Sequence, residues 1–287
     1  MTDRYRPAGS LAGDGWTVVL TPETAGWRFC GLRAATLPAG GELAFATGSD
    51  EVAVLPLEGA YEVTVDGGRF PLSGRPSVWS GPSDFVYAPP GCEVVVASRD
   101  GGRFAVATAR AERRFPVRYV EAASVGIELR GAGASSREVR NFARPDRFEA
   151  DRLIAVEVLS PGGNWGSYPP HKHDENRDDE TELEEIYHYV VTDGQAGPGL
   201  AYQHVYGNPD RPIDLLTTVR TGDTVLVPHG WHGPTMAAPG YDLYYLNVMA
   251  GPGERAWRAC DDPSHAWVRD AWAGQAMDPR VPFRRAD

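Results

Sequence analysis

Short runs of apolar and β-branched residues, cut every few positions by glycine and proline, confine this chain to β-structure. In the first half the runs are Thr17-Val-Val-Leu20, Glu51-Val-Ala-Val-Leu55, Ala60-Tyr-Glu-Val-Thr-Val65, Phe85-Val-Tyr-Ala88 and Glu93-Val-Val-Val-Ala97. Turn residues separate them at Pro38-Ala-Gly-Gly41, Asp66-Gly-Gly68, Gly74-Arg-Pro76, Gly81-Pro82 and Pro89-Pro-Gly91. Valine, tyrosine and phenylalanine suit a pleated surface, and glycine and proline close each run. Strands at this spacing predict a sandwich or barrel.

The second half repeats the pattern with Leu153–Leu159, Glu185–Val191, Ala201–Tyr206, Asp214–Val219, Thr224–Val227 and Tyr241–Val248. Helical signal is confined to Ser136–Asn141 and parts of the tail from Glu254, where Trp257, Trp267 and Trp272 are expected to pack against a barrel. A weak internal repeat relates the halves. Ser83-Asp-Phe-Val-Tyr-Ala-Pro-Pro-Gly-Cys92 has the shape of Gly222-Asp-Thr-Val-Leu-Val-Pro-His-Gly-Trp-His232. The expected fold is all-β, with two β-barrel (jelly-roll) domains and a few short helices. The domains cover residues 1–130 and 131–287, joined near Gly131-Ala-Gly-Ala-Ser-Ser136.

Composition removes several classes of function. The 287 residues hold no apolar run long enough to span a membrane as a helix, and the first residues lack the apolar core of a secretory leader. A cytoplasmic location is therefore expected. The three cysteines, Cys30, Cys92 and Cys260, are too scattered for a zinc motif or a disulfide framework. A net charge of −11 argues against nucleic acid or an anionic membrane as partner. It leaves room for a small anionic substrate, because a local arginine cluster can dominate within a Debye length of about 8 Å. The cations are 27 Arg and a single Lys.

All seven histidines follow residue 170, and two bracket that lysine in His171-Lys172-His173. Strand side chains alternate faces, so His171 and His173 point the same way, about 6–7 Å apart, and can share one metal ion. The acidic run that follows, Asp174 to Glu185, holds eight carboxylates against one arginine and reads mostly as a solvated loop. Glu185 differs because it opens a strand whose alternation turns it toward the histidine pair. Glu184 takes its place if the register slips by one residue. His232 enters from the strand after Pro228-His229-Gly230. Lys172 points the opposite way, toward a surface or inter-strand role. His188 faces away from the cavity, His229 and His265 lie in loops, and His204 is left unassigned.

These pieces resemble the cupin pattern, in which His-x-His and Glu precede a strand and Gly-x5-Pro-x-Gly precedes a final histidine. Here the pattern falls on His171, His173, Glu185, Gly222, Pro228, Gly230 and His232. The stretch from His173 to Glu185 is longer than usual, and only Trp231 separates Gly230 from His232. A closer resemblance lies in Val156-Glu-Val-Leu-Ser-Pro-Gly-Gly-Asn-Trp-Gly-Ser-Tyr-Pro-Pro-His-Lys-His-Asp174, Leu183-Glu-Glu-Ile-Tyr187 and Tyr241-Asp-Leu-Tyr-Tyr-Leu-Asn-Val-Met-Ala-Gly251. These segments are similar to the 5-deoxy-glucuronate isomerase family of myo-inositol catabolism, related to 5-keto-4-deoxyuronate isomerase. The resemblance implies a bicupin with the metal site in its second domain. It also implies conversion of 5-deoxy-D-glucuronate to 2-deoxy-5-keto-D-gluconate, and a divalent metal held by His171, His173, Glu185 and His232. Zinc comes first, with manganese or iron as alternatives.

That chemistry moves a proton between adjacent carbons through a cis-enediolate, which needs a Lewis acid and a proton carrier but no organic cofactor. Glu157, the one acid inside an apolar strand, is the candidate base, weighed evenly against a carboxylate paired with an arginine. Tyr187 should lie on the metal side. Tyr202, Gln203 and Tyr245 are candidates for binding sugar hydroxyls. Arg152 is the first choice for the substrate carboxylate, ahead of Arg140 and Arg220. Two alternatives are a cupin Fe(II) dioxygenase and a non-catalytic sugar-binding bicupin. The expected partner is a small anionic sugar acid, and a homo-oligomer is compatible with the sequence.

Overall fold

The computed structural model describes residues 4–283; residues 1–3, where part of the leader reading falls, lie outside the described residues. The all-β expectation holds. A nine-stranded sheet system occupies the first half, and a seven-stranded and a six-stranded sheet occupy the second. The sixteen-residue strand Asp50–Val65 runs through the first barrel and pairs with Gly102–Arg110 and Phe85–Ala88 early, then with Gly68–Arg75 and Glu93–Ala97. Helix is limited to Pro22–Ala25, Val268–Ala271 and three short 3₁₀ turns among the described residues.

The seven-stranded sheet runs in the order Tyr5–Arg6, Thr224–Val227, Glu184–Val191, Leu243–Ala250, Ile154–Ser160, Arg137–Ala143, Gly126–Arg130. Two of its strands, Tyr5–Arg6 and Gly126–Arg130, thus come from the first 130 residues. The expected helix at Ser136–Asn141 is instead the strand Arg137–Ala143. All seven of its residues are buried, and strands pair with it on both sides, so tertiary pairing overrides a weak local helical signal. In the tail, Trp257 packs on the second barrel's core, but Trp267 is 64% exposed and does not pack as expected.

Alternation sorts the apolar residues into three clusters. One fills the first barrel around Val54, Val63, Val96 and Phe104. Another fills the second around Val156, Val205, Val225 and Tyr245. The third lies between the barrels and joins Leu55 and Phe85 to Leu159, Ile186, Tyr244 and Leu246. The strands Ile154–Ser160, Glu184–Val191 and Leu243–Ala250 are therefore buried on both faces, which is why they read as near-continuous apolar runs.

Charged groups buried in this junction are paired. Glu51 of the first barrel accepts backbone N–H bonds from Asp151, Arg152 and Leu153 at 2.8, 2.6 and 2.7 Å. Glu184 of the second accepts from Arg28, Phe29 and Cys30 at 2.7, 2.8 and 3.0 Å. Each barrel thus ties down a backbone segment of the other. Glu157 meets Arg75 through both guanidinium ends and accepts from the Tyr244 hydroxyl at 2.8 Å. His188 is also buried, its Nδ1 3.0 Å from Thr224 Oγ1, and burial pushes its pKa down to about 4.

Two predictions follow from these junction groups. Arg75→Met strands the Glu157 carboxylate without its cation and should cost about 3–5 kcal/mol in denaturant unfolding, and adding Glu157→Met should recover at least half of that loss. An unchanged midpoint for Arg75→Met would contradict the pairing. His188 is neutral when folded and titrates near its ordinary value when unfolded, so the unfolded chain binds the extra proton. Stability linked to it is complete above about pH 6.5 and is lost as pH falls toward 4, by about 3 kcal/mol. His188→Gln should flatten that acid limb, measured as the unfolding midpoint against pH.

Candidate metal centre

The strand His171–Lys172 pairs with Trp231–Ala237, and the register sets His171 opposite His232. The imidazole centroids of His171 and His173 are 6.2 Å apart, as alternation predicts, and His232 sits between them at 4.5 and 4.6 Å. One nitrogen from each ring falls within 4.8 Å of the others. From the facing seven-stranded sheet, Glu185 brings Oε2 to 2.9 Å from His173 Nε2 and 3.0 Å from His232 Nε2. Gly230 lets the turn before His232 close against the strand that carries Tyr206. It has φ +91°, and a Cβ there would lie 2.7 Å from the Tyr206 carbonyl oxygen.

Each imidazole is held from behind. His171 Nδ1 is 3.3 Å from the Pro169 carbonyl, His173 Nδ1 is 3.3 Å from that of Leu183, and His232 Nδ1 is 3.1 Å from that of Gly230. A backbone carbonyl only accepts, so each Nδ1 carries a proton; in the neutral ring each Nε2 presents a lone pair to the centre, whereas a protonated His173 donates Nε2–H to Glu185 at 2.9 Å. His232 Nε2 is buried and has no hydrogen-bond partner among the described residues, because the nearby Glu185 oxygen lies off its bonding direction. A buried lone pair with no donor, facing two more imidazoles and a carboxylate, is the donor set of a divalent metal.

The electrostatics agree. Burial, and then the neighbouring rings, push the His171 pKa well down, which keeps that ring neutral. Burial opposes ionisation of Glu185 as well, but the His232 and His173 rings outweigh it and hold the carboxyl well below its usual range. For His173 burial is outweighed by its bond to Glu185, which raises its pKa.

The acidic stretch after His173 is solvated at residues 175–179 and Glu182, but part of it turns inward. Lys172 points away from the histidines, as expected, and its Nζ reaches Asp174 at 2.7 Å, Glu180 at 2.8 Å and Glu175 at 3.2 Å. Glu180 is fully buried and also pairs with Arg177. The long spacing from His173 to Glu185 is thus a loop closed around an internal cation. Asp174 links it to the metal face by accepting the Gly230 N–H at 2.7 Å.

The structure brings together some of the remaining candidates and separates others. Tyr187, Tyr245 and Gln203 face the barrel interior. Tyr187 and Tyr245 have ring centroids 5.2 Å apart and share Ser167, whose Oγ lies 3.2 and 3.1 Å from their hydroxyls. Burial raises both phenol pKa values, that of Tyr245 to about 12, so both stay protonated. Gln203 accepts a bond from the Tyr189 hydroxyl at 2.9 Å, deeper in the barrel.

Six candidates are corrected. Glu184 lies on the other face, bonded to residues 28–30, which leaves Glu185 as the carboxylate beside the histidines. Glu157 shares that outer face and is consumed by Arg75 and Tyr244, so it is not placed to act as base. Tyr202 is 38% exposed on the outside of its strand, because Ala201, Gln203 and Val205 take the inner face. Arg152 is held by the carbonyls of Gly251 and Pro252 and by Glu112. Arg140 is fully buried against Glu138 and the carbonyls of Val78 and Gly81, and Arg220 binds the carbonyls of Pro198 and Gly199. His188 faces the first barrel, His204 stacks beside Tyr206, and His229 and His265 are only partly buried.

Sequence reasoning missed Arg137. It lines a cavity of about 350 Å³ with His171, Trp257 and three other arginines. Read as the strand it forms, Arg137–Ala143 puts Arg137 and Val139 on the inner face of the barrel, and the helical reading of Ser136–Asn141 hid this.

Comparison with known proteins places this architecture. The chain matches the KduI/IolB family over residues 5–268. It is 39% identical over 268 residues to 5-deoxy-glucuronate isomerase of Geobacillus kaustophilus, covering 92% of this chain and 95% of that one. It is 38% identical to the same-named protein of Bacillus subtilis strain 168, over 76% of this chain and 79% of that one. The crystal structure of an IolB-like protein from Salmonella typhimurium superposes with TM-score 0.84 at 32% identity, covering 92% of this chain and 98% of the other. Oxalate decarboxylase of Lactobacillus farciminis shares the two-barrel fold alone, at TM-score 0.62 and 11% identity, over 91% of this chain and 89% of that one. The chain is a bicupin and belongs to the KduI/IolB family.

Proposed function

We propose that the protein is a metal-dependent 5-deoxy-glucuronate isomerase. It converts 5-deoxy-D-glucuronate to 2-deoxy-5-keto-D-gluconate within myo-inositol catabolism, in the cytoplasm. The observation that carries this reading is the convergence of His171, His173, His232 and Glu185, with His232 Nε2 buried and unpartnered, in a chain whose relatives bear the isomerase name. That name favours the isomerase over the dioxygenase and over the sugar-binding scaffold. Assembly into a homo-oligomer is part of the same reading. So is the choice of zinc ahead of manganese or iron for a set of three imidazoles and one carboxylate.

The reaction is balanced without an oxidant. A proton leaves C2 and one arrives at C1, while O2 gives up a proton and O1 gains one. When bound, a divalent metal supplies Lewis-acid stabilisation of the charge that develops on the substrate oxygens. The protein's own groups contribute hydrogen-bond donors and positioning. Tyr187, kept protonated by burial, offers an O–H donor beside the histidines, and Ser167 connects it to the Tyr245 hydroxyl. A fixed donor of this kind, in a site shielded from water, stabilises oxyanion charge that forms during the reaction. Gln203 orients the tyrosine layer from below through Tyr189.

Metal analysis of the purified protein together with an NMR assay of 5-deoxy-glucuronate tests the reading. About one divalent ion per chain, and turnover abolished by a chelator and restored by zinc, is the expected result. Turnover without metal would overturn the metal dependence, and loaded protein that leaves the uronate unchanged would overturn the isomerase. His173→Ala and His232→Ala should each lose the ion and about 10³-fold in kcat. Tyr187→Phe should keep the ion and lose about 10²-fold. Glu157→Gln should stay within a few-fold of the parent in kcat. A 10³-fold drop at full metal content would return Glu157 to the role of base.

A further inference from the structure

Arg137 differs from every other arginine around the cavity that opens on His171. Arg130 is bonded to Glu128 at 2.6 Å, Arg144 to the same carboxylate at 3.1 Å, and Arg269 to Asp261 at 2.7 Å. Arg137 has no carboxylate partner among the described residues. Its Nη1 donates only to the backbone carbonyls of Ser135 at 3.0 Å and Tyr168 at 3.3 Å. It is also the most buried of the four, at 7% exposed. Burial, reinforced by the charges of Arg130 and Arg269, lowers its pKa to about 10, which leaves it cationic at neutral pH.

A buried cation without a counter-charge is unfavourable, and folds retain one where an anion is meant to complete it. The missing anion has a cavity of about 350 Å³ to enter, room for a sugar-sized molecule. It must reach a space shared with His171. A planar guanidinium in that position fits a carboxylate through two parallel bonds. A hexuronate carries its carbonyl at one end and its carboxylate at the other, so one molecule can meet the histidine cluster and Arg137 together. Trp257 forms part of the wall, with the Arg130 guanidinium 5.0 Å over its ring.

We infer that Arg137 binds the carboxylate of the sugar acid and makes the site selective for uronates over neutral aldoses. This rests on the isomerase reading above. It replaces Arg152, whose guanidinium is spent on backbone carbonyls and Glu112.

The test compares metal-loaded wild type, Arg137→Met and Arg137→Lys. The substrates are 5-deoxy-glucuronate and the neutral aldose that has CH₂OH in place of the carboxylate. Metal content and unfolding midpoint are measured alongside. Wild type should favour the uronate by about 10³-fold or more in kcat/KM. Arg137→Met should lose about 10²- to 10³-fold on the uronate, mainly through KM, yet stay within about 3-fold on the neutral aldose at full metal content. Arg137→Lys, which keeps the charge without the fork, should recover about tenfold over Arg137→Met. D-Glucuronate at millimolar concentration should raise the melting temperature of wild type but not of Arg137→Met. If Arg137→Met preserves the preference for the uronate, or keeps the D-glucuronate shift, the inference fails and the isomerase reading stands. If wild type turns over neither substrate, the isomerase reading fails, and the D-glucuronate shift alone then decides whether Arg137 is a carboxylate site.

Discussion

The strand Glu184–Val191 is buried on both faces and delivers a carboxylate to each. Glu184 crosses the junction and collects three backbone N–H groups of the first barrel. Glu185, one residue on, turns inward and meets two imidazoles. Because the side-chain period of a strand is two, a slip of one residue would exchange these carboxylates and ruin both arrangements. The register that assembles the metal face is thus also the one that docks the barrels. The first barrel answers with Glu51, whose carboxylate collects the backbone N–H groups of residues 151–153 at the start of another doubly buried strand. This reciprocity gives a physical reason for the first barrel to persist, although it contains no histidine. It holds the back of the sheet whose front carries the site.

Much of this could be read from residue types alone. Period-two patterning and glycine–proline turns announced the strands, and His171, His173 and Glu185 follow from alternation. The misreadings of Glu157 and Arg140 share one cause. A strand buried on both faces has two insides, and sequence does not say which inside a polar residue sees. Glu157 was rightly placed in an apolar strand, but its partner Arg75 comes from 82 residues away in the other barrel. Arg152 and Arg140 looked free only because the carbonyls that hold them belong to distant turns. Where a strand has one wet face, as at Ala201–Tyr206, the pattern does carry the answer. The burial alternation along it turns Tyr202 outward and Gln203 inward.

The acidic stretch shows how composition misleads in the opposite direction. Eight carboxylates in twelve residues suggest solvent, yet the chain's single lysine gathers three of them, one fully buried. Lys172 is excluded from the metal face by the same alternation that places its two neighbours there. Its ammonium instead closes the loop that supplies Leu183, whose carbonyl orients His173, and Asp174, which anchors Gly230. The lysine acts on the site through two backbone groups, without touching the histidines.

A comparison of buried charges then separates structure from function. Arg75, Arg140 and Lys172 each lie against a carboxylate, and Glu51 and Glu184 lie against rows of N–H donors. Among the described residues, His232 Nε2 has no hydrogen-bond partner and the Arg137 guanidinium has backbone carbonyls but no carboxylate. A fold that supplies Arg75, Arg140 and Lys172 with carboxylates has the means to supply Arg137 with one as well. One electron-pair donor at the histidine cluster and one cation on the cavity that opens on His171 match a ligand that is electrophilic through a metal at one end and anionic at the other. A sugar acid has that polarity, whereas a neutral sugar would leave the guanidinium bare.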